Sequence, residues 1–159
     1  MIKVGDYFPS HLTLKKITGN TIEDFPTGNL LKGKIVLFAV PGAFTPTCSN
    51  AHLPSFLKAL PTLKEHGIKD VYCIAVNDHF VMQAWGEKYS VEDKISFLAD
   101  FDGALTEALG LILDATGGGL GKRSHRYAMI LQDGIVQKLN VEDNPSECKI
   151  SSGERLFSL

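Results

Sequence analysis

Short, continuous apolar runs alternate along this chain with segments in which apolar residues recur every three or four positions. The continuous runs are rich in β-branched residues, as in strands that are buried on both faces of a sheet. They occupy 34–40, 71–76 and 95–98. Between them, helical spacing predicts a first helix that ends at Gly67. Its apolar positions are Leu53, Phe56, Leu57, Leu60 and Leu63.

Further elements follow from the same patterns. A helix is predicted over 78–89, with Phe80, Ala84 and Tyr89 on its apolar side, and a short one over 105–109. The apolar segments 127–131 and 135–141 flank Gln-Asp-Gly and predict a β-hairpin. The end of the chain, 154–159, is predicted as a terminal helix. Parallel strands with helical crossovers and an antiparallel end predict an α/β fold, with a mixed central β-sheet flanked by helices.

Two prolines lie within the first predicted helix. Pro54 and Pro61 each remove a backbone donor and clash with the preceding turn, so we expect them to kink or break that helix.

Composition narrows the class of protein. Of 159 residues, 44% are hydrophobic and 21% are charged, which excludes extensive disorder and predicts one domain spanning 1–159. The net charge of −2 gives no general attraction to nucleic acid or to an anionic membrane. No apolar run is long enough to span a bilayer. We therefore expect neither nucleic-acid nor membrane partners.

The chain has three cysteines, Cys48, Cys73 and Cys148. This number is too small, and odd, for a disulfide-stapled secreted scaffold. The first residues also lack the pattern of a signal peptide. We therefore expect a cytoplasmic location, where thiols stay free or are oxidised transiently.

Candidate catalytic residues lie in segment 41–49, which follows a predicted strand and begins a predicted helix. Cys48 falls in or near the first helical turn, where unpaired N–H groups and the helix dipole favour a thiolate and lower the pKa of a cysteine. Pro46 suits the first helical position, and Thr45 or Thr47 could cap it. A free cysteine is often an inert core residue, but the polar neighbours of Cys48 favour a reactive one.

The motif Pro41-x-x-x-Thr45-x-x-Cys48, within PGAFTPTCS, resembles the active-site signature of the peroxiredoxins. With His-Leu-Pro following at 52–54, it is similar to the type II group. Further matches, at 75–78, 85–86, 98–100 and 126–129, extend the resemblance over nearly the whole chain. The resemblance implies a thioredoxin-like fold and a thiol peroxidase that reduces hydrogen peroxide and small alkyl hydroperoxides.

The resemblance also implies roles for four residues. Cys48 would attack a peroxide oxygen and become a sulfenic acid. The Thr45 hydroxyl would bond both thiolate and peroxide, and Arg126 would hold both through charge-assisted hydrogen bonds. Pro41 would shield the thiolate.

The rate gained by ionising the cysteine shows which of these groups contributes most to catalysis. An ordinary cysteine, with a pKa of about 8.5, is a few per cent ionised at neutral pH, so complete ionisation gains only about 30-fold. Larger accelerations require groups that act on the transition state.

Arg126 directly precedes a predicted strand and matches the family position, whereas Arg123 lies in a glycine-rich loop. We therefore favour Arg126.

Two cysteines are candidates for resolving the sulfenic acid. Cys73 lies in an apolar strand, where a buried core thiol is the simpler interpretation, although plant-like members have a second cysteine at this place. Cys148 lies in a polar turn segment, similar in position to the resolving cysteine of the animal atypical enzyme. Alternatively, an external thiol would act directly: glutathione with glutaredoxin, or thioredoxin. The resemblance implies a homodimer, and we expect no metal, flavin or nucleotide.

Other interpretations have less support. The glycine-rich stretch 117–122 lacks the spacing of a phosphate-binding loop. His52, four residues after Cys48, would permit a cysteine hydrolase, but a local structural or pKa-tuning role is simpler. A redox sensor that signals through oxidation of Cys48 is the alternative that is not an enzyme.

Overall fold

The computed structural model describes residues 1–91 and 93–157, which contain nine strands and three α-helices. The strands are β1 (Thr13–Thr18), β2 (Thr21–Pro26), β3 (Lys34–Ala39), β4 (Asp70–Ala75), β5 (Ser96–Ala99), β6 (Ile112–Ala115), β7 (Gly121–Ser124), β8 (Tyr127–Gln132) and β9 (Ile135–Val141). The helices are α1 (Leu53–Glu65), α2 (His79–Lys88) and α3 (Ala104–Ala108). Short 3-10 helices lie at Thr27–Leu30 and Thr116–Gly118, and a π-helical turn lies at Cys48–His52.

Seven strands form one mixed sheet in the order β2-β1-β5-β4-β3-β8-β9. β4 runs parallel to both β3 and β5, whereas β8 runs antiparallel to β3 and β9. α1 connects β3 to β4 and α2 connects β4 to β5, because parallel neighbours need a long crossover. The predicted α/β class, its three parallel strands and the hairpin of β8 and β9 are confirmed.

β3 lies between β4 and β8 in the interior of this sheet and is buried on both faces. Val36 and Phe38 belong to the core layer beneath α1 and α2, which also contains Phe56 and Trp85. Leu37, which points the other way, packs in the layer that contains α3. Side chains alternate across a strand, so a strand with two buried faces requires a continuous apolar run.

The sequence pattern does not predict two further hairpins, because β1, β2 and β7 contain many polar residues and β6 has only four residues. β1 and β2 extend the main sheet, and their exposed side chains include an ion pair between Lys15 and Asp24 at 2.6 Å. β6 and β7 form a separate two-stranded sheet whose tip carries the glycine-rich stretch.

The expected break of the helix does not occur, since α1 is continuous through Pro61. Pro54 directly follows the π-helical turn at Cys48–His52, and the helix continues through it. Pro61 lies on the exposed side of the helix, where water can bond to the carbonyl one turn earlier.

Two other predictions are also wrong. Phe80 and Ala84 are exposed and Tyr89 is only partly buried; Met82 and Trp85 form the buried side of α2. The predicted terminal helix is replaced over 154–157 by turns and bends, and its last two positions lie outside the described residues.

Candidate active site

The C-terminal end of β3 leads directly into the candidate site. Pro46 is the first helical residue, as expected, and the π-helical turn at Cys48–His52 continues into α1. The Leu53 N–H donates to the Cys48 carbonyl, which defines the wider turn. Three side chains of this turn, Cys48, Ser49 and His52, are buried.

Neither threonine caps the helix with its side chain, contrary to the sequence-based expectation. The Thr45 hydroxyl donates to the Gly42 carbonyl at 2.7 Å and so closes the preceding loop on itself. The Thr47 hydroxyl donates to the Ser146 carbonyl at 2.8 Å, which ties the start of the helix to a distant segment.

The pairing of β3 with β8 places Arg126 beside Cys48. Ala39 is opposite Tyr127 in this pair, so Arg126 emerges next to the loop that follows β3. Its side chain is 1% exposed, and Nη2 donates to Cys48 Sγ at 3.1 Å. Nη1 contacts His52 Nδ1 at 3.0 Å, and Nε donates to the Pro145 carbonyl at 3.1 Å.

Arg123 has a different position. Its Nε donates to the Leu120 carbonyl at 2.9 Å, and its Nη1 donates to the Val76 carbonyl at 2.7 Å. It therefore joins the β6–β7 hairpin to the loop after β4. Of the two arginines that the sequence offered, the structure brings Arg126 to the cysteine.

A cleft of about 420 Å³ opens above these groups. Pro41, Thr45 and Arg126 line it, together with Leu113 and Leu120 of the β6–β7 hairpin. The structure therefore brings together all four residues of the implied site. Cys48 itself has no exposed surface and lies beneath the cleft.

The buried ring of His52 stays neutral. Burial, together with the neighbouring Arg126 charge, lowers the pKa of His52 from 6.5 to about 3, although the hydrogen bond to the Ser151 carbonyl opposes this shift. Arg126 can only donate, so His52 Nδ1 accepts and Nε2–H donates to the Ser151 carbonyl at 2.8 Å. With both nitrogens engaged, His52 has none left to act as a base for Cys48, which argues against the hydrolase alternative.

Glu142 is a residue of this region that the sequence analysis missed. Its Oε1 accepts hydrogen bonds from the backbone N–H groups of 149–151 and from the Ser151 hydroxyl, at 2.6 to 2.9 Å. Burial favours protonation of Glu142, but these hydrogen bonds outweigh it and lower its pKa. The carboxylate thus fixes the segment 143–151, which carries Cys148. A lone glutamate in a polar loop gives no sequence signal for this role.

The two candidate resolving cysteines differ in accessibility. Cys73 is fully buried in β4, and burial, reinforced by the nearby Cys48, raises its pKa. Cys148 is partly exposed, with Sγ at 3.8 Å from Ser151 Oγ. Burial raises the pKa of Cys148 too, while its bond to Ser151 and the charge of Arg126 oppose that shift. All three cysteines are unpaired in this structure.

Over 1–91 and 93–157, no group of three or more His, Cys, Asp or Glu side chains is arranged to hold a metal ion. Within the same ranges, no helix has the length and hydropathy needed to cross a membrane.

Comparison with known proteins identifies the family. The redoxin family model matches residues 3–156. Peroxiredoxin-2D of Arabidopsis thaliana is 42% identical over 98% of this chain and 96% of its own length. The structure of reduced Prx3 from Vibrio vulnificus in complex with hydrogen peroxide is 45% identical, has a TM-score of 0.88, and is matched over 98% of this chain and 93% of that one.

Peroxiredoxin 5 of Alvinella pompejana is 37% identical, with a TM-score of 0.83 over 98% of this chain and 95% of its own. The chain therefore belongs to the redoxin family and has its thioredoxin-like fold. Its curated relatives are peroxiredoxins of type II, which confirms the resemblance found in the sequence.

Proposed function

We propose that this peroxiredoxin is a thiol peroxidase that reduces hydrogen peroxide and small alkyl hydroperoxides at Cys48. The observation that carries the proposal is the buried hydrogen bond from Arg126 to Cys48 Sγ, beneath a cleft lined by Thr45 and Pro41. A fully buried thiolate is costly unless it is paired with a cation, and the guanidinium is that cation.

The reaction follows from this arrangement. The Cys48 thiolate attacks one peroxide oxygen, an S–O bond forms, and the O–O bond breaks. The departing oxygen takes the bonding electron pair and, from solvent, a proton equivalent to the one that Cys48 released on ionisation; it leaves as water or an alcohol, and Cys48 is oxidised to the sulfenic acid. Arg126 stabilises charge on sulfur and on the departing oxygen. The Thr45 hydroxyl has lone pairs left to orient the peroxide, and Pro41 shields the thiolate from water.

Recycling proceeds through Cys148 or through an external thiol, glutathione with glutaredoxin or thioredoxin. Cys148 is favoured over Cys73, because it is partly exposed on a loop segment whereas Cys73 is fully buried in a central strand. In the first route, the Cys148 thiol attacks the sulfenic sulfur, and water leaves as the disulfide forms. The fully buried Cys48 sulfur must become accessible to Cys148 for this step.

We further propose a homodimer. Three large exposed apolar side chains, Phe44, Phe80 and Phe101, follow the carboxyl ends of β3, β4 and β5. These three strands are parallel neighbours, so their carboxyl ends lie at one edge of the sheet, where Cys48 also follows β3. Exposed apolar groups that cluster in this way are typical of interaction surfaces.

The cytoplasmic location remains a prediction, which the three unpaired cysteines support.

The decisive test is peroxide consumption by the wild type and by Cys48→Ser, with Cys73→Ser as the matched control. We expect the Cys48 variant to be inactive, and the Cys73 variant to keep most of its activity. Mass spectrometry after one equivalent of peroxide then shows the route. Loss of two hydrogens that maps to Cys48 and Cys148 indicates an internal disulfide, while a stable sulfenic acid indicates an external thiol.

Two outcomes would support the alternatives. Peroxide consumption that survives in Cys48→Ser would refute the proposed mechanism. Oxidation of Cys48 without turnover by any thiol donor would favour the redox sensor.

A further inference from the structure

His52 lies between the two parts of the site that the mechanism uses. Its ring is fully buried and packs against Phe38 and Phe56, with ring centroids 5.0 and 5.6 Å away. Nδ1 is 3.0 Å from Arg126 Nη1, and Nε2 is 2.8 Å from the Ser151 carbonyl. The ring therefore connects the guanidinium to the segment that carries Cys148.

The chemistry of these two partners assigns the proton on the ring. A guanidinium has only donors and a carbonyl has only acceptors, so Nδ1 must be bare and Nε2 must carry the hydrogen. A protonated ring would turn a second donor toward Arg126 and place two cations side by side in a buried site. Only the neutral Nε2–H tautomer satisfies both contacts.

The guanidinium itself shows what this contact does. Three nitrogens of Arg126 have three different partners: the Pro145 carbonyl, His52 Nδ1 and Cys48 Sγ. Because the guanidinium is planar and rigid, fixing Nε and Nη1 determines where Nη2 points. The first two contacts thus set the direction of the third.

We infer that His52 is a positioning residue of the peroxidase reaction: its bare Nδ1 holds Arg126 so that Nη2 is directed at Cys48 Sγ. The inference rests on the proposed function, because it assigns His52 to the same reaction. His52 makes no proton transfer and does not touch the peroxide. Without the acceptor, Nη1 would be left unpaired in a buried site, and the guanidinium would turn toward other partners or admit water.

Two substitutions separate the two contacts of the ring. In His52→Asn, the side-chain oxygen lies as many bonds from the backbone as Nδ1 and preserves an acceptor for Arg126. In His52→Gln, the amide nitrogen is placed like Nε2 and preserves the donor to the Ser151 carbonyl. His52→Leu removes both contacts and keeps an apolar side chain against Phe38. His66→Asn, at an exposed position on another surface, is the matched control.

We expect His52→Asn to keep kcat/KM for hydrogen peroxide within about threefold of the wild type. His52→Gln and His52→Leu should lose about 10- to 100-fold, the range typical when a partner that orients a functional group is removed. A structural role through the Ser151 segment predicts the reverse order, with Gln retained and Asn impaired.

A measurement on the unmodified protein makes the test independent of the folding of any variant. Nitrogen NMR of the histidine rings should show His52 with a bare Nδ1 and a protonated Nε2 at neutral pH. A protonated Nδ1 would overturn the inference. So would equal activity, or equal loss, in the three His52 variants. If the wild type consumes no peroxide, the proposed function fails, while the NMR result still decides whether His52 is the acceptor of Arg126.

Discussion

Arg126 and Cys48 are 78 residues apart in the sequence, yet Arg126 Nη2 donates to Cys48 Sγ at 3.1 Å. The contact exists because β3 and β8 pair side by side, one ending and the other beginning at the site. Cys48 follows the first strand and Arg126 precedes the second. The pairing of β3 with β8 thus holds the Arg126 guanidinium beside the Cys48 thiol.

The first prediction concerns the two arginines. Arg126→Lys keeps a positive charge, but a single ammonium cannot reproduce the fixed planar contacts to Cys48, His52 and the Pro145 carbonyl. We expect kcat/KM for hydrogen peroxide to fall about 100-fold or more, as when one donor of an oxyanion site is removed. Arg123→Lys, the matched control, should change it less than about tenfold. Equal effects in steady-state assays would mean that the wrong arginine has been assigned.

A second prediction concerns the stability of the π-helical turn. The indole N–H of Trp85 donates to Ser49 Oγ at 3.0 Å, and both side chains are buried. Ser49→Ala leaves that N–H without a partner, so we expect a loss of about 1–3 kcal/mol in the free energy of unfolding. Trp85 is the only tryptophan, so its emission during urea denaturation measures the change. Ser10→Ala, at an exposed position, should leave the midpoint unchanged.

The third prediction is a pH dependence of stability. His52 takes up a proton near pH 6.5 in the unfolded chain but only near pH 3 in the folded one. The stabilisation is therefore complete above pH 6.5 and decreases as the pH falls below that value. Between about pH 7 and pH 5 we expect a loss of about 2 kcal/mol from this group. Urea titrations at the two pH values should show that the free energy of unfolding decreases by about 2 kcal/mol less in His52→Asn than in the wild type. An identical pH dependence would contradict the neutral, buried assignment.

The fourth prediction concerns the segment that carries Cys148. Glu142→Gln replaces a carboxylate that accepts four hydrogen bonds by a weaker, neutral acceptor, with an expected loss of about 2 kcal/mol in stability. If release of this segment brings Cys148 to Cys48, the disulfide should form faster in Glu142→Gln after peroxide addition. Mass spectrometry over time measures this rate.

Glu147→Gln is the control for that experiment, since Glu147 forms a surface ion pair with Lys149 at 2.8 Å, which should contribute less than about 1 kcal/mol. A disulfide that forms no faster in Glu142→Gln than in this control would show that the Glu142 contacts do not limit the movement of Cys148.

The sequence was informative wherever a structural feature depends on neighbouring residues. The apolar run of β3 requires burial on both faces, and the polar string around Cys48 follows it directly, so strand and thiol could be placed together. Arg126 could be placed because it adjoins another apolar strand. The exposure of Phe80 could not be predicted, because helical spacing defines a face without showing what that face contacts.

The residues that hold the site in place could not be predicted for a similar reason. Glu142 and Ser151 meet through the path of an irregular loop, and no periodic pattern encodes such a path. The role of His52 depends on which groups arrive from β8 and from the C-terminal segment. Its place one helical turn after Cys48 showed that it is near, but not which way its nitrogens face.

The complete burial of Cys48 has a consequence for how its reactivity would be observed. A reagent must pass the cleft before it reaches the sulfur. The size of the reagent therefore limits its reaction with Cys48 before its electrophilicity does. We expect a peroxide to pass this entrance and a bulky alkylating label or fluorescent maleimide to be excluded. In a chemical survey of cellular thiols, Cys48 would therefore be recorded among the inert ones. Slow labelling would measure the width of the entrance, not the nucleophilicity of the thiol.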